Sequence, residues 1–172
     1  MSLDLTKWLV KYKTSSILNN SAEYAAKHMF DDSNESCWNS GQGSPQFIML
    51  EFDKEVCISS ISLVFQGGFV GQDAIVQVGN NINNMKDIIT LECIDDTNEE
   101  QVFQLNQSQG IYIYNNNNIH YSLSIILILI LILIILLLIE YNKFFKITFN
   151  SSTDFYGRIT IYNFKLHGFR NE

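Results

Sequence analysis

Apolar and polar residues alternate over short segments along most of this chain. In Phe47–Phe52, Ile48, Leu50 and Phe52 share one face while Phe47, Met49 and Glu51 share the other. That period of two marks a half-buried strand with the first set toward a core. Ile58–Phe65 repeats the pattern, with Ile61, Leu63 and Phe65 inward and Ser60, Ser62 and Val64 opposite. A turn is expected between these two strands. A second follows them at Gln66-Gly67-Gly68-Phe69, where adjacent glycines open backbone conformations closed to other residues. Ala74–Val78 reads as a third strand, stopped by Gly79-Asn80-Asn81. Asp87–Ile94 and Gln101–Leu105 read as a hairpin around the acidic turn Asp95–Glu100. Lys143–Phe149 and Arg158–Leu166 read as a terminal pair around Asn150–Gly157. The imperfect alternation of Ile159, Ile161, Phe164 and Leu166 predicts a bulge near Asn163. Helix-like spacing is confined to Leu5, Trp8, Leu9 and Tyr12 and to Tyr24–His28. The first is an arm packed across the domain or, alternatively, a membrane-touching or partner-binding helix. Short strands with polar turns and little helix predict an all-β fold, an antiparallel β-sandwich or jelly roll.

The stretch from Gly110 to Ile139 breaks this pattern. It begins IYIYNNNNIHYS and then runs without a polar residue from Ile125 to Ile139. As a transmembrane helix it is short, since a span needs roughly 20 predominantly apolar residues, and no strong basic cluster flanks it. A span here also interrupts a sandwich whose strands must pair on one side of the membrane. As a soluble strand it is apolar on both faces, an aggregation hazard if exposed. The preferred reading is a translated intron, because Asn, Ile, Leu and Tyr are what AT-rich DNA encodes by default. A GGT codon at Gly110 supplies a GT donor, and an ATA codon at Ile139 before the Glu140 codon supplies an AG acceptor. Removal of residues 110–139 then leaves a compact turn between strands. A mature transcript retaining every codon from Gly110 to Ile139 contradicts this. The expected organisation is one domain over residues 1–172, interrupted by a low-complexity insert at about 110–139.

With 172 residues the chain suits one domain with a real core. Its formal charge of −7 and pI near 4.9 exclude direct grip on nucleic-acid phosphates, which needs clustered Lys and Arg. Cys37, Cys57 and Cys93 are odd in number and widely spaced, which fits reduced thiols in the nucleus or cytoplasm. The N-terminal residues show no secretory pattern. No nucleophile elbow, paired histidines or phosphate-cradling glycine loop is present, so no enzyme, cofactor or metal site is expected. His28 has no second ligand at metal spacing and reads as an ordinary hydrogen-bonded or exposed histidine. The Asp95–Glu100 turn lacks the ligand spacing of a calcium loop.

Within the loop Phe30–Gln46, Trp38 reads as a plug between loop and sheet, with ligand stacking as the lesser reading. Asp31 or Asp32 caps a turn or pairs with Arg158, and a buried structural ion pair is favoured over a ligand contact. Gly67, Gly68 and Gly157 read as backbone geometry. Gln66, Phe69, Asp154, Phe155, Tyr156 and Arg158 are the candidate partner-binding residues. Aromatic, amide and charged groups on loops beside strand ends are typical hot-spot material.

Two blocks carry a family resemblance. One is Phe30-Asp31-Asp32, Cys37-Trp38-Asn39-Ser40-Gly41-Gln42-Gly43, Gln46-Phe47-Ile48-Met49-Leu50-Glu51-Phe52 and Phe65-Gln66-Gly67-Gly68-Phe69. The other is Thr153-Asp154-Phe155-Tyr156-Gly157-Arg158-Ile159-Thr160-Ile161-Tyr162. Together they resemble the nuclear receptor 2C2-associated protein family, over roughly residues 14–107 and 140–168. More distantly the chain resembles the discoidin-like, galactose-binding-like jelly roll. The resemblance implies an eight-stranded sandwich with binding loops at one end. It departs at Cys37, where those domains usually carry Thr, and at Asn163-Phe164, where a Glu is frequent, so it carries over no calcium site. The function it implies is a non-enzymatic protein-binding module, nuclear or cytoplasmic, that restrains transcription through a nuclear receptor or another regulator. The alternatives are a glycan- or ligand-binding domain and a protein anchored in a membrane through Ile125–Ile139.

Overall fold

In the computed structural model of the chain, residues 2–95, 97–105, 127–130 and 140–171 are described. One compact unit comprises Met1–Leu105 and Tyr141–Glu172; the other is Asn106–Glu140. In the second, Leu127–Ile130 are helical with exposed side chains. The intron reading and the apolar run fall for the most part on residues outside those described. Among the described residues no helix is long and apolar enough to cross a membrane.

The first unit contains nine strands among its described residues. They are β1 (Leu3–Asp4), β2 (Leu9–Thr14), β3 (Trp38–Asn39), β4 (Gln46–Phe65), β5 (Gly71–Gly79), β6 (Lys86–Leu91), β7 (Glu100–Gln104), β8 (Asn142–Ser152) and β9 (Thr160–Arg170). Every pairing is antiparallel. The long strand β4 organises the whole. Its first half lies between β2 and β8, and its second half between β7 and β9. The expected turn between two strands is instead an irregularity between Glu51 and Val56, through which one strand passes from layer to layer. Exposed Asp53 and Lys54 mark that corner, and Asp53 is paired there with Arg170. Polar residues ended the alternation without ending the strand.

Two layers result. One runs β2-β4-β8-β5-β6; the other runs β7-β4-β9, with β1 and β3 also paired to β9. Their inner faces are the predicted apolar sets. Ile48, Leu50, Phe52, Ile61, Leu63 and Phe65 are each 0 % exposed, as are Phe145, Ile147 and Phe149 of β8. Aromatic edges lock the layers together: Phe65 meets Phe149 at 6.0 Å between ring centroids, and Phe145 meets Phe164 at 5.9 Å. Burying each such ring stabilises the fold by about 1.5–3 kcal/mol.

Both expected hairpins are corrected. β6 pairs with β5 in one layer, while β7 pairs with β4 in the other. A bridge remains where they separate: the Gln101 amide accepts from the Ile94 N–H and donates to its carbonyl, both at 2.8 Å. Likewise β8 and β9 do not pair with each other, because β4 runs between them. Alternation reveals a strand and its inner face but carries no information about its neighbour. The bulge on β9 falls at Tyr162, beside the expected Asn163: Val64 opposes Asn163 and Phe65 opposes Ile161.

The lead-in is an arm laid on the sandwich. Leu5–Trp8 form a single helical turn capped by Asp4, whose carboxylate accepts the Thr6 N–H at 3.1 Å. The chain then enters β2. Ala26–Phe30 form another helical turn close to the predicted one, burying Ala26 and Met29.

Candidate functional site

The loops that follow β4 and β8 meet at one end of the sandwich. The first, 66–70, is a tight turn closed by the Phe69 N–H on the Gln66 carbonyl at 3.0 Å. Gly68 has φ +79°, the left-handed region that favours glycine. Gly67 contributes differently: its N–H donates to Asn98 Oδ1 at 2.7 Å, and the Gly68 N–H donates to Asp95 Oδ1 at 3.1 Å. The acidic turn is therefore tied to the glycine turn. Gln66 enters through its backbone, donating to the Thr160 carbonyl at 3.1 Å.

The second loop, 153–159, is docked on the first by a reciprocal pair. Val70 N–H donates to Thr153 Oγ1, and Thr153 N–H to the Val70 carbonyl, each at 3.0 Å. Asp154 then organises the tip. Its carboxylate accepts from the Tyr156 and Arg158 N–H groups at 3.1 and 3.0 Å. It also accepts a two-point bond from the Arg158 guanidinium, Nε and one terminal nitrogen each at 2.9 Å. Bidentate pairs of this kind fix geometry as well as charge. The Arg158 bonds hold the Asp154 carboxyl below its usual range, and the same pair raises Arg158.

Arg158 sits over two rings, 5.0 Å from the Phe69 centroid and 5.4 Å from that of Tyr156. Gly157, at φ +73°, turns the chain where a Cβ would come within 3.0 Å of the Gly43 carbonyl carbon. The loop 40–46 supports this turn: Gly43 N–H donates to the Tyr156 carbonyl at 2.8 Å, and Ser40 Oγ accepts the Ile159 N–H at 2.9 Å. On this fixed base Phe155 stands 93 % exposed and Tyr156 55 % exposed, with their rings 5.3 Å apart, edge to face.

Phe69, Asp154, Phe155, Tyr156 and Arg158 thus form one cluster, and Gly67, Gly68 and Gly157 shape its backbone. Sequence reasoning missed Asp95, Asn98, Ser40 and Gly43. All act by long-range bonds; only the Ser152-Thr153-Asp154 run, a side-chain-to-backbone turn signature, marked the loop locally.

The Asp31–Trp38 region plays another part. Trp38 is fully buried, its indole N–H donating to the Ser16 carbonyl at 3.0 Å, so it is the plug its position suggested. The expected pairing of Asp31 or Asp32 with Arg158 is corrected, since Asp154 occupies that guanidinium. Asp31 instead accepts from Ser33 N–H, Ser36 Oγ and a ring nitrogen of His28. Asp32 pairs with Lys165 at 2.6 Å. Neither arrangement is a buried ion pair: the two aspartate side chains are 36 % and 62 % exposed. His28 is hydrogen-bonded on both sides, to Asp31 and to the Ala22 carbonyl.

Among the described residues no group of three His, Cys, Asp or Glu side chains is placed to hold a metal ion. None of the three cysteines is in a disulfide. Burial pushes the Cys93 thiol up to about 12 and raises those of Cys37 and Cys57.

No protein-family model matches the chain. Among known proteins it is 30 % identical over 157 residues to the zebrafish nuclear receptor 2C2-associated protein, covering 91 % of this chain and 89 % of the relative. It is 28 % identical over 161 residues to the bovine protein of that name, covering 93 % and 91 %. For the human one the identity is 27 % over 157 residues, covering 91 % and 89 %. Solved structures give the fold. A family 32 carbohydrate-binding module of Clostridium perfringens in complex with galactose superimposes with TM-score 0.66 at 10 % identity, covering 97 % of this chain and 99 % of that one. A chitosan-binding module of a Paenibacillus chitosanase/glucanase gives 0.62 at 16 % identity, covering 92 % and 94 %. The architecture is the discoidin-like, galactose-binding-like β-sandwich. By its sequence the chain belongs to the nuclear receptor 2C2-associated protein family.

Proposed function

We propose that the protein is a non-catalytic protein-binding module that uses the loop end of its sandwich, with Phe155 as the central anchor. One observation carries the reading: a phenylalanine 93 % exposed on a loop whose backbone is tied down at every turn. Exposed apolar side chains held rigidly lose little entropy on binding and are characteristic anchors. Asp154 and Arg158 satisfy each other, so the surface offered is aromatic rather than charged. The names of the relatives imply association with a nuclear receptor, and that class of partner, or another transcription regulator, is the one we assign. Restraint of transcription through that partner, in the nucleus or from the cytoplasm, is part of the same proposal.

Glycan binding is the second reading, favoured by the fold of the carbohydrate-binding modules and by the displayed rings. Hydroxyl recognition needs free polar groups, and here the Asp154 carboxylate already accepts four hydrogen bonds. The two readings separate in one experiment. Purified nuclear receptor 2C2 is titrated against the full chain, the Phe69→Ala variant and the Arg158→Ala variant, with and without saturating galactose. Weaker binding by both variants, indifferent to galactose, supports the protein-binding reading. Equal binding by all three chains rejects the loop end as the surface.

A further inference from the structure

The five-stranded layer ends on β2, and the edge of β2 turned away from β4 is open among the described residues. Its polarity follows from one residue pair. Ser15 N–H donates to the Phe47 carbonyl at 2.9 Å and the Phe47 N–H donates to Ser15 Oγ at 3.0 Å, so these two residues occupy a hydrogen-bonded position of the ladder, with the serine hydroxyl taking one of the two bonds. Such pairs alternate along an antiparallel ladder. Lys13 opposite Met49 and Lys11 opposite Glu51 therefore bond to β4, while the backbone N–H and carbonyl of Tyr12 face outward.

The side chains along this edge divide by face. Lys11 and Lys13 lie on the outer face of the layer, exposed, and no described carboxylate forms an ion pair with either. Beside them is a hollow of about 260 Å³ lined also by Met49, Glu51, Ile82 and Phe144. Lys146 lies on the same face, over the Phe47 ring at 5.4 Å. On the inner face Tyr12 packs against Phe30 at 5.2 Å, yet remains 43 % exposed. In a chain of net charge −7, this is a local strip of unpaired cations on an open strand edge.

Lysines on an edge strand commonly do no more than forbid pairing with another copy of the same edge. That role needs neither an apolar hollow between them nor an exposed aromatic on the opposite face. The charge that repels a second β2 attracts an acidic strand. We propose that the open edge of β2 docks an extended acidic segment of another protein, which adds to the layer as a further strand. Its acidic side chains lie opposite Lys11 and Lys13, and the intervening apolar side chain lies beside Tyr12. The side-chain period of two makes the required sequence an alternation of acidic and apolar residues.

The test uses the full chain and a soluble synthetic peptide of alternating Glu and Val, read by fluorescence anisotropy and by amide chemical shifts. Controls are the same peptide with Gln for Glu and one with Glu and Val in separate blocks. The alternating acidic peptide is expected to bind, to shift the Val10 and Tyr12 amides, and to weaken with added salt. Lys11→Glu with Lys13→Glu is expected to weaken it roughly tenfold or more, while Glu51→Gln tightens it. Lys11→Gln with Lys13→Gln serves if the charge reversal disturbs folding. Equal binding of the Gln peptide, equal binding by the lysine variants, or shifts confined to residues 153–158 would overturn the proposal. So would absence of binding by the alternating acidic peptide, most directly if the neutral Lys11→Gln, Lys13→Gln variant self-associates, the signature of purely protective lysines. Phe155→Ala leaves this binding unchanged, so its outcome is separate from that of the loop-end reading.

Discussion

Asp31 and Asp154 do the same local work and reach opposite ends. Each carboxylate accepts the N–H two residues on, Ser33 in one loop and Tyr156 in the other. Each then takes further bonds, Asp31 from Ser36 and His28, Asp154 from the Arg158 backbone and guanidinium. The difference lies in what the fixed loop does with its large apolar residues. The first brackets Met29 and Trp38, both fully buried. The second points Phe155 almost wholly into water. A loop that buries its aromatic is held by the core. A loop that exposes one must be held by polar bonds, which is why the second carries a bidentate pair, a cation over two rings and a docking bond to each neighbouring loop.

The contrast can be broken most forcefully at Trp38. Trp38→Ala is expected to cost about 3–5 kcal/mol, lost transfer energy plus a cavity, read by denaturant unfolding. A loss below about 1 kcal/mol would mean that the first loop is not anchored through the core. Gly157→Ala comes next. It strains a left-handed residue and presses a Cβ toward the Gly43 backbone, so a cost of about 1–3 kcal/mol is expected, with faster amide exchange concentrated in residues 40–46 and 153–159.

Acid titration then sharpens the comparison. Both carboxylates sit below the ordinary value of 3.8. At Asp154 the Arg158 bonds are the leading cause; at Asp31 burial alone would raise the value, and Ser36, Ser33 and His28 outweigh it. A carboxyl whose folded value is depressed contributes stability that is complete above the unfolded value. That contribution is lost as pH falls through the folded one. Protection of the Tyr156 and Arg158 amides should therefore hold from neutral pH down to about 4 and fail only below it. Loss between pH 5 and 8 would contradict the ion pair. The smallest effect on folding belongs to Phe155→Ala: stability is expected to stay within about 0.5 kcal/mol of the parent, since the ring touches little of the fold.

Much of this was legible in the chain. Ile48, Leu50, Phe52, Ile61, Leu63 and Phe65 declared their inner face because a half-buried strand repeats every two residues. Trp38, Phe69 and the Asp154–Arg158 run stood out as large or charged residues in turns. Pairings were not legible. β6 with β7 and β8 with β9 looked like hairpins because they are consecutive, yet β4 separates the second pair and the first is split between layers. The guanidinium of Arg158 was assigned to the wrong acids for the same reason. Sequence offers nine aspartates and no distances, whereas the loop geometry brings Asp154 within bonding reach and leaves Asp32 to Lys165. The roles of Asp95, Asn98 and Gly43 rest on contacts between loops and left no local trace.

The central claim is that Phe155 is displayed for recognition and does not support the fold. Its most direct test is the affinity of purified nuclear receptor 2C2 for the full chain and for Phe155→Ala, with thermal unfolding of both chains measured in parallel. The expected result is roughly tenfold or greater loss of affinity at unchanged unfolding temperature, since a central aromatic anchor contributes more than about 1 kcal/mol. Equal affinity of the two chains, or a variant that loses affinity only because it unfolds, would contradict the claim.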